Sequence, residues 1–345
     1  MKEMNMDITQ LSHRFKRFAV YECHGSSDLY EFLSHKIAND CELLELCLNA
    51  KAGQPVPNLF LSAVHFLLLS GKNHSLKEYY QSIVEHPQKP EESFEHFKDF
   101  CRLYREDIIS LISRKLVQTN EVRRCAYLYP SFCYIDEMVK KPLALIEIGT
   151  SAGLQLLWDQ YKYSYGSDEI YGNNQSTVHI QSEIIGEKRP LLLKNSPPVA
   201  FSRGIDLHIS DLGDEEDFMW LKSLIWPEHQ GRRELFEKAA ELLNRNDSSL
   251  IEGDGISLLT NITEQAPDDA VICIFHTHVA NQLEEDVKLT LINQIKKIGK
   301  TRDVFHLYNN MWDRYLHLDF MLNGIETQQI IAETDGHGRW FKWLL

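Results

Sequence analysis

Hydrophobic residues in the first 140 positions recur at intervals of three and four, which is the spacing of amphipathic helices. Proline-containing segments at residues 53–57 and 85–90 interrupt this pattern, because proline removes a backbone donor and restricts its neighbour. We therefore predict an all-α N-terminal domain over residues 1–140. Its predicted helices are Asp7–Val20, Ser27–Ala50, Leu59–Ser70, Ser93–Lys115 and Asn120–Met138.

After Pro142, short β-rich runs alternate with helical stretches, a pattern typical of a parallel sheet with crossover helices. We predict a Rossmann-like α/β domain over residues 141–345, with a mostly parallel sheet, an insertion at 166–198 and a closing antiparallel hairpin at Asn323-Gly324. The predicted strands are Leu143–Ile148, Val199–Leu207, Ser249–Ile251, Ala270–Phe275 and Val304–Tyr308, with Val178–Ile185 as a further candidate in the insertion. The predicted helices are Leu154–Tyr163, Arg232–Asn244, Ile256–Ile262 and Gln282–Ile298.

Composition narrows the classes of function. A chain of 345 residues with 43% hydrophobic content buries a large core, and its net charge of −14 repels nucleic acid, so we predict no nucleic-acid partner. The seven cysteines lack a C-x-x-C pair, which argues against a zinc site and a disulfide framework and favours a cytoplasmic location. The N-terminus lacks the apolar core of a signal peptide, and the longest apolar run, Leu59–Leu69, is too short to span a bilayer. We predict no membrane association.

The most informative segment is the glycine turn, residues 149–153, which follows the strand ending Glu147-Ile148. Ligands of open parallel sheets bind beyond the carboxyl ends of the strands. A dinucleotide fingerprint requires glycine where Ser151 and Leu154 stand, which argues against a nicotinamide-dependent oxidoreductase. Glu147 to Gly153 is similar to the E-x-G-x-G-x-G motif of S-adenosylmethionine-dependent methyltransferases and departs from it only at Ser151.

That similarity implies contacts between S-adenosylmethionine and Glu147, Gly149, Ser151 and Gly153. Glu147 can organise the turn or meet the ammonium group of the ligand, and the missing Cβ atoms of the glycines let the backbone approach it. A glycine turn that serves packing alone is the alternative.

Two later acidic residues follow predicted strands in the order that such methyltransferases show. Asp206, in Arg203–Leu207, resembles the second-strand carboxylate that binds the ribose hydroxyls, with Glu183 of the insertion as a rival. Asp254, in Ile251–Gly255, resembles the third-strand aspartate that meets the adenine amino group, although a Gly-Asp-Gly triplet also forms plain turns.

The fourth predicted strand leads into His276 and His278, which share a face if the strand continues. Either histidine is a candidate general base near neutral pH. Because no third ligand accompanies them, we predict no metal site. Two hydrogen-bonded structural histidines are the alternative.

Longer stretches, which together span most of the chain, are similar to a bacterial domain of unknown function with a class I methyltransferase-like core. Within them, Asn120 is a helix cap or a ligand contact, and Arg124 clamps the cofactor's carboxylate or forms a surface ion pair. His65 lies in an apolar helix and is predicted to be a hydrogen-bonded core residue. The stretches are Pro57–Leu69, Thr119–Arg124, Glu147–Gly153 and Trp220–Glu228.

These observations predict a cytoplasmic S-adenosylmethionine-dependent methyltransferase that acts on a small-molecule acceptor. Methyl transfer from a sulfonium is an in-line displacement, so a base such as His276 or His278 is needed only if the acceptor loses a proton. A non-catalytic protein of the same fold, which binds a partner through its helical half, is the alternative. A nicotinamide-dependent oxidoreductase ranks below both.

Overall fold

The structure, a computed structural model, describes residues 7–118, 120–246 and 249–345. Thr119, which begins one of the family-like stretches, lies outside the described residues. The chain divides into two compact units: one comprises Met1–Thr119 and Gly213–Glu234, the other Asn120–Leu212 and Leu235–Leu345. That residues 1–140 and 141–345 fold as separate domains stays a prediction.

The α-helices are α1 (Ile8–Phe18), α2 (Asp28–Ile37), α3 (Cys41–Cys47), α4 (Val56–Leu69), α5 (Ser93–Leu103), α6 (Arg105–Arg114), α7 (Cys125–Val139), α8 (Glu215–Ser223), α9 (Gln230–Leu243), α10 (Gly255–Gln265) and α11 (Glu285–Ile298). The strands are β1 (Leu143–Ile148), β2 (Lys162–Ser164), β3 (Tyr171–Gly172), β4 (His179–Gln181), β5 (Glu183–Ile185), β6 (Val199–Asp206), β7 (Leu250–Glu252), β8 (Val271–His276), β9 (Val304–Asn309), β10 (Tyr315–Leu322), β11 (Ile325–Thr334) and β12 (Trp340–Trp343). Short 3₁₀ segments connect several of them, and a π-helical turn, Ala19–Cys23, extends α1.

Two of the helices predicted in the first unit, Ser27–Ala50 and Ser93–Lys115, each form as two shorter helices. The stretch predicted as one helix over Ser27–Ala50 is two, because the Asp40 carboxylate accepts the amide of Leu43 at 3.1 Å and starts α3. His65 is buried in α4 and hydrogen bonds through both ring nitrogens, at 3.0 Å to the carbonyl oxygen of Ser223 and at 2.7 Å to Ser82 Oγ. It is a hydrogen-bonded core histidine, as predicted.

The second unit is built on a nine-stranded sheet of order β5-β12-β11-β10-β9-β8-β1-β6-β7. Its half from β7 to β9 is entirely parallel, in the order of a doubly wound sheet, with β1 between β6 and β8. Strands β9 to β12 pair antiparallel, and β5 joins β12 in parallel. The mixed α/β class, the mostly parallel sheet and the hairpin are confirmed. Asn323 and Gly324 have φ of 51° and 78°, the left-handed pair that a tight hairpin turn requires.

Two predictions after the glycine turn are wrong. Leu154–Tyr163 is not one helix but a 3₁₀ helix over Leu154–Gln160 followed by β2. The hydroxyl of Tyr161 donates to the Leu154 carbonyl at 2.6 Å, so a tertiary contact occupies an acceptor that an α-helix would use. Val178–Ile185 is not a single strand, since β4 pairs with β2 in a separate three-stranded sheet and β5 lies at the edge of the large one.

All residues of β1 and β8 are buried, as expected for central strands covered on both faces. A ligand can therefore reach the centre of the sheet only at the ends of these strands. Strands β1 and β8 lie where the order of strands reverses direction, which is where ligands of doubly wound sheets bind. Among the described residues, no helix is both long enough and apolar enough to cross a bilayer.

Candidate functional site

Backbone strain marks the carboxyl ends of three adjacent strands. Ser151 after β1, His278 after β8 and Asn310 after β9 have φ values of 53°, 57° and 55°. Non-glycine residues adopt this left-handed conformation at a cost of about 1–3 kcal/mol, and such residues cluster at functional sites. The strain thus coincides with the point where the strand order reverses.

Four backbone amides of the glycine turn donate hydrogen bonds to acceptors within the protein. Gly149 and Thr150 donate to the Ile205 carbonyl at 2.7 and 3.2 Å, Ser151 donates to Asp206 Oδ2 at 2.8 Å, and Gly153 donates to the Thr150 carbonyl at 2.8 Å. A phosphate cradle needs such amides to point at the ligand. The turn is therefore poorly suited to a phosphate group.

The two glycines of the turn are required by packing. A Cβ on Gly149 would lie 2.3 Å from Val279 Cγ2, and one on Gly153 would lie 2.9 Å from Leu250 Cδ2. Both glycines also have positive φ, at 75° and 82°. The close approach that they permit is an approach by the protein's own side chains.

Glu147 is enclosed below the turn, with only 3% of its surface exposed. Thr150 Oγ1 donates to its Oε2 at 2.6 Å. Burial raises the pKa of this carboxyl to about 8, and the charge of Asp206 adds to the rise, while the Thr150 hydrogen bond and Arg124 oppose it. Glu147 is consequently mostly protonated at neutral pH.

Asp206, predicted to bind ribose, organises the turn. Its carboxylate accepts the amide of Ser151 at 2.8 Å and that of His208 at 3.3 Å. Glu183, its predicted rival, begins β5 at the opposite edge of the nine-stranded sheet. The structure therefore does not bring Glu183 to this site.

Asp254, predicted to meet adenine, is the N-cap of α10. Its two carboxylate oxygens accept the amides of Ile256 at 3.2 Å and Ser257 at 3.1 Å. The side chain is exposed. The structural alternative, a helix-capping turn, accounts for these contacts.

Asn120 contacts the turn instead of capping a helix. Its Nδ2 donates to the Thr150 carbonyl at 2.8 Å, while Glu121 accepts the Arg123 amide at 3.2 Å and takes the cap position. Asn120 Oδ1 and Ser151 Oγ are both enclosed, and no other described residue hydrogen bonds to either atom. Each is a buried polar atom whose hydrogen-bonding capacity a ligand or a bound water can satisfy.

Arg124 lies inside the unit, not on a surface ion pair. Only 8% of its surface is exposed, and its Nε donates to the Gly336 carbonyl at 3.0 Å. Its charge acts on the pKa of both Glu147 and His278. Arg124 thus lies between the glycine turn and the end of β8.

His276 is the last residue of β8 and faces the interior. It is 1% exposed, its Nε2 lies 3.1 Å from His306 Nε2, and its ring stacks on Tyr308. Burial lowers its pKa to about 4. A buried histidine with a pKa near 4 is a weak base at neutral pH.

His278 is not on a continuing strand, so the condition for a face shared with His276 is not met. β8 ends before it, and its left-handed backbone turns the chain while its amide donates to Asn309 Oδ1 at 3.0 Å. The Asn310 amide lies 3.2 Å from both ring nitrogens. Burial lowers the pKa of His278 to about 3, and the positive charge of Arg124 contributes to the decrease.

In the part of the chain that the structure describes, no three histidine, cysteine or acidic side chains converge to hold a metal.

The C-terminal turn, residues 335–339 (Asp-Gly-His-Gly-Arg), is part of this site and was missed in the sequence. The Asp335 carboxylate accepts the amides of His337 at 3.1 Å and Arg339 at 3.0 Å. A Cβ on Gly338 would lie 2.4 Å from the Arg123 carbonyl oxygen, so the turn packs tightly on the segment that carries Arg124. Two glycines around a histidine are a turn signal, but nothing local links that turn to β1.

Comparison with known proteins gives a family and no function. No curated protein and no solved structure matches the chain. One family model matches residues 12–343, which is nearly the whole chain. The chain therefore belongs to the family described as an uncharacterized protein conserved in bacteria (DUF2332).

Proposed function

We propose that this protein binds S-adenosylmethionine at the carboxyl ends of β1, β6 and β8 and transfers its methyl group to a small-molecule acceptor. The observation that carries the proposal is the excess of hydrogen-bond acceptors around the glycine turn. Asn120 Oδ1 and Ser151 Oγ have no hydrogen-bond partner among the described residues, and the carboxyl groups of Glu147 and Asp206 lie near them.

This chemistry favours a cationic ligand rich in donors. S-adenosylmethionine carries a sulfonium, an ammonium and two ribose hydroxyls, which carboxylates and amide oxygens stabilise. A dinucleotide instead presents a pyrophosphate, which needs free backbone amides at a helix N-terminus. The amides of Gly149, Thr150, Ser151 and Gly153 already have acceptors within the protein. Because these amides are already bonded within the protein, the site favours S-adenosylmethionine over a nicotinamide dinucleotide.

When bound, S-adenosylmethionine supplies an electrophilic methyl group. The chain contributes orientation and exclusion of water. A positive charge near Glu147 would favour its ionised form, so this carboxyl, protonated in the free protein, would serve as a counter-ion to the bound ligand. Asn120 and Ser151 would present an amide oxygen and a hydroxyl to the ligand's donors, and the guanidinium of Arg124 would meet the ligand's carboxylate.

Isothermal titration calorimetry with S-adenosylmethionine, S-adenosylhomocysteine and NADH tests the proposal. We expect the first two to bind, and we expect Asn120→Leu and Ser151→Ala each to weaken binding about tenfold, the loss of one hydrogen bond. Ser257→Ala, an exposed serine of α10, is the matched control and should bind as the wild type does. Absence of S-adenosylmethionine binding at millimolar concentration by the folded wild type rejects the proposal.

A non-catalytic binding protein is the second candidate, and one observation favours it. Asp206 and Asp254, the carboxylates predicted to recognise ribose and adenine, are both engaged by backbone amides of the protein. Incubation with tritiated methyl donor and the small-molecule fraction of a bacterial extract separates the two candidates. Bound ligand without labelled product supports the second candidate, and labelled product supports the methyltransferase.

A further inference from the structure

The C-terminal turn places His337 beside a buried carboxylate. His337 Nδ1 lies 3.5 Å from Glu121 Oε2, and the side chain of Glu121 is 4% exposed while that of His337 is 40% exposed. The Nδ1 atom itself is enclosed and forms no hydrogen bond with the described residues. The exposed side of the ring is therefore the opposite one, which carries Nε2.

This arrangement is that of a positioned base. A carboxylate that faces Nδ1 favours the tautomer with a proton on Nδ1, which leaves the Nε2 lone pair free to accept a proton. The separation of 3.5 Å is long, but catalytic hydrogen bonds are often long before substrate binds. The two amides that bind Asp335 and the contact of Gly338 with Arg123 hold the turn in place.

The same edge of the sheet holds two other histidines, and neither suits this role. His276 is buried in the sheet with His306, and His278 is largely buried beneath Asn310. His337 alone of these three combines an exposed ring edge with a carboxylate at its other nitrogen.

We propose that His337 is the general base of the methyl transfer and that Glu121 is the positioning residue that orients its imidazole. The inference rests on the proposed function. His337 Nε2 takes the proton of an acceptor X–H, the X lone pair forms the X–CH₃ bond, and the methyl–sulfur bond breaks with its electron pair left on sulfur. The proton then leaves His337 for solvent. The charged and titratable groups around His337 are Glu121, Arg124, His278, Asp335 and Arg339.

The kinetic test uses His337→Gln with the tritiated methyl donor and a bacterial small-molecule fraction. We expect the rate to fall about 10²–10⁴-fold, the usual contribution of a general base, with unchanged affinity for S-adenosylhomocysteine. The residual rate should rise with pH as the acceptor ionises by itself, a recovery that a structural defect would not show. Glu121→Gln should lower the rate less. His86→Gln, an exposed histidine of the first unit, is the matched control.

A second readout does not depend on turnover. In protein labelled with ¹⁵N-histidine, we expect His337 to show the Nδ1–H tautomer and its Nε2 resonance to move on addition of S-adenosylhomocysteine, while His86 does not respond. Lack of ligand binding rejects the proposed function together with this inference. Binding with an unmoved His337 resonance, an unchanged rate and pH profile in His337→Gln, or no labelled product from the wild type rejects the base assignment and leaves the ligand site intact.

Discussion

Replacing Glu147 by glutamine removes a buried carboxyl group while keeping its shape. The side-chain oxygen of glutamine still accepts the hydroxyl of Thr150, which lies 2.6 Å from Glu147 Oε2. What changes is ionisation, because burial raises the pKa of Glu147 from an ordinary 4.5 to about 8. The substitution therefore isolates the cost of a charge at this position.

The sign of the effect follows from the two protonation states. Well below pH 4.5 the carboxyl of Glu147 is protonated in both the folded and the unfolded chain. Folding then carries no penalty from its ionisation, and the stability of the protein is at its full value with respect to this group. As the pH rises toward 8, the unfolded chain loses the proton first, and the free energy of unfolding falls. From pH 4.5 to neutral pH is about 2.5 pH units, and at about 1.4 kcal/mol per unit the loss is about 3 kcal/mol.

Urea denaturation from about pH 4 to pH 9 measures this loss. Relative to the wild type, Glu147→Gln should gain about 3 kcal/mol in its free energy of unfolding between pH 4.5 and neutral pH. Glu264→Gln, which changes an exposed glutamate of α10, should follow the wild-type curve. Parallel stability curves for wild type and Glu147→Gln would refute the reasoning, because they would show that Glu147 ionises as readily in the folded protein as in the unfolded chain.

Four further changes test the site, each by urea denaturation and by calorimetry with S-adenosylhomocysteine. Asp206→Ala should cost about 1–3 kcal/mol and weaken ligand binding, because the Ser151 amide loses its acceptor; equal stability would contradict the role of Asp206 in the turn. Gly149→Ala should cost about 2–4 kcal/mol, and adding Val279→Ala should recover all but the cost of positive φ, about 1 kcal/mol. Asp254→Ala should cost about 0.5–2 kcal/mol as a lost cap and leave ligand affinity unchanged, whereas an adenine contact would lower it. Ser151→Gly should stabilise the protein by about 1 kcal/mol, by removing left-handed strain, and weaken binding; weaker folding would contradict the strain argument.

The fold was largely predictable because its signals are local. β1 was predicted with its observed bounds, β6 and β9 differ from their predictions by one residue at one end, and β7 and β8 by one residue at each end. Their apolar runs and the helices between them specify a parallel sheet. The pairing of β5 with β12 was not predictable, because it joins segments more than 150 residues apart.

The part of the candidate site that lies on the glycine turn was predictable from the sequence. The contacts that segments distant in sequence make with the turn were not. Asn120 was identified, but as a cap first, because the sequence does not show that its side chain reaches Thr150. His276 and His278 were expected to share a face only if the strand continued, and the left-handed backbone at His278 turns the chain instead. The sequence around His337 does not indicate a role for this residue, because its partner Glu121 lies 216 positions earlier.

Ser151 is the residue at which the fold and the proposed site make different demands. The fold supplies a carboxylate for its amide, 2.8 Å from Asp206 Oδ2, and its carbonyl accepts the amide of Ser210 at 3.3 Å, yet glycine would satisfy both contacts without strain. The Cβ atom is what makes serine costly here, and the hydroxyl that it carries forms no hydrogen bond with any described side chain or backbone atom. Gly149 and Gly153, in contrast, are explained by the Val279 and Leu250 side chains that press against them. A strained side chain whose polar atom serves no contact within the protein is best explained by a contact outside it, which is why Ser151 argues for a ligand more directly than the two glycines beside it.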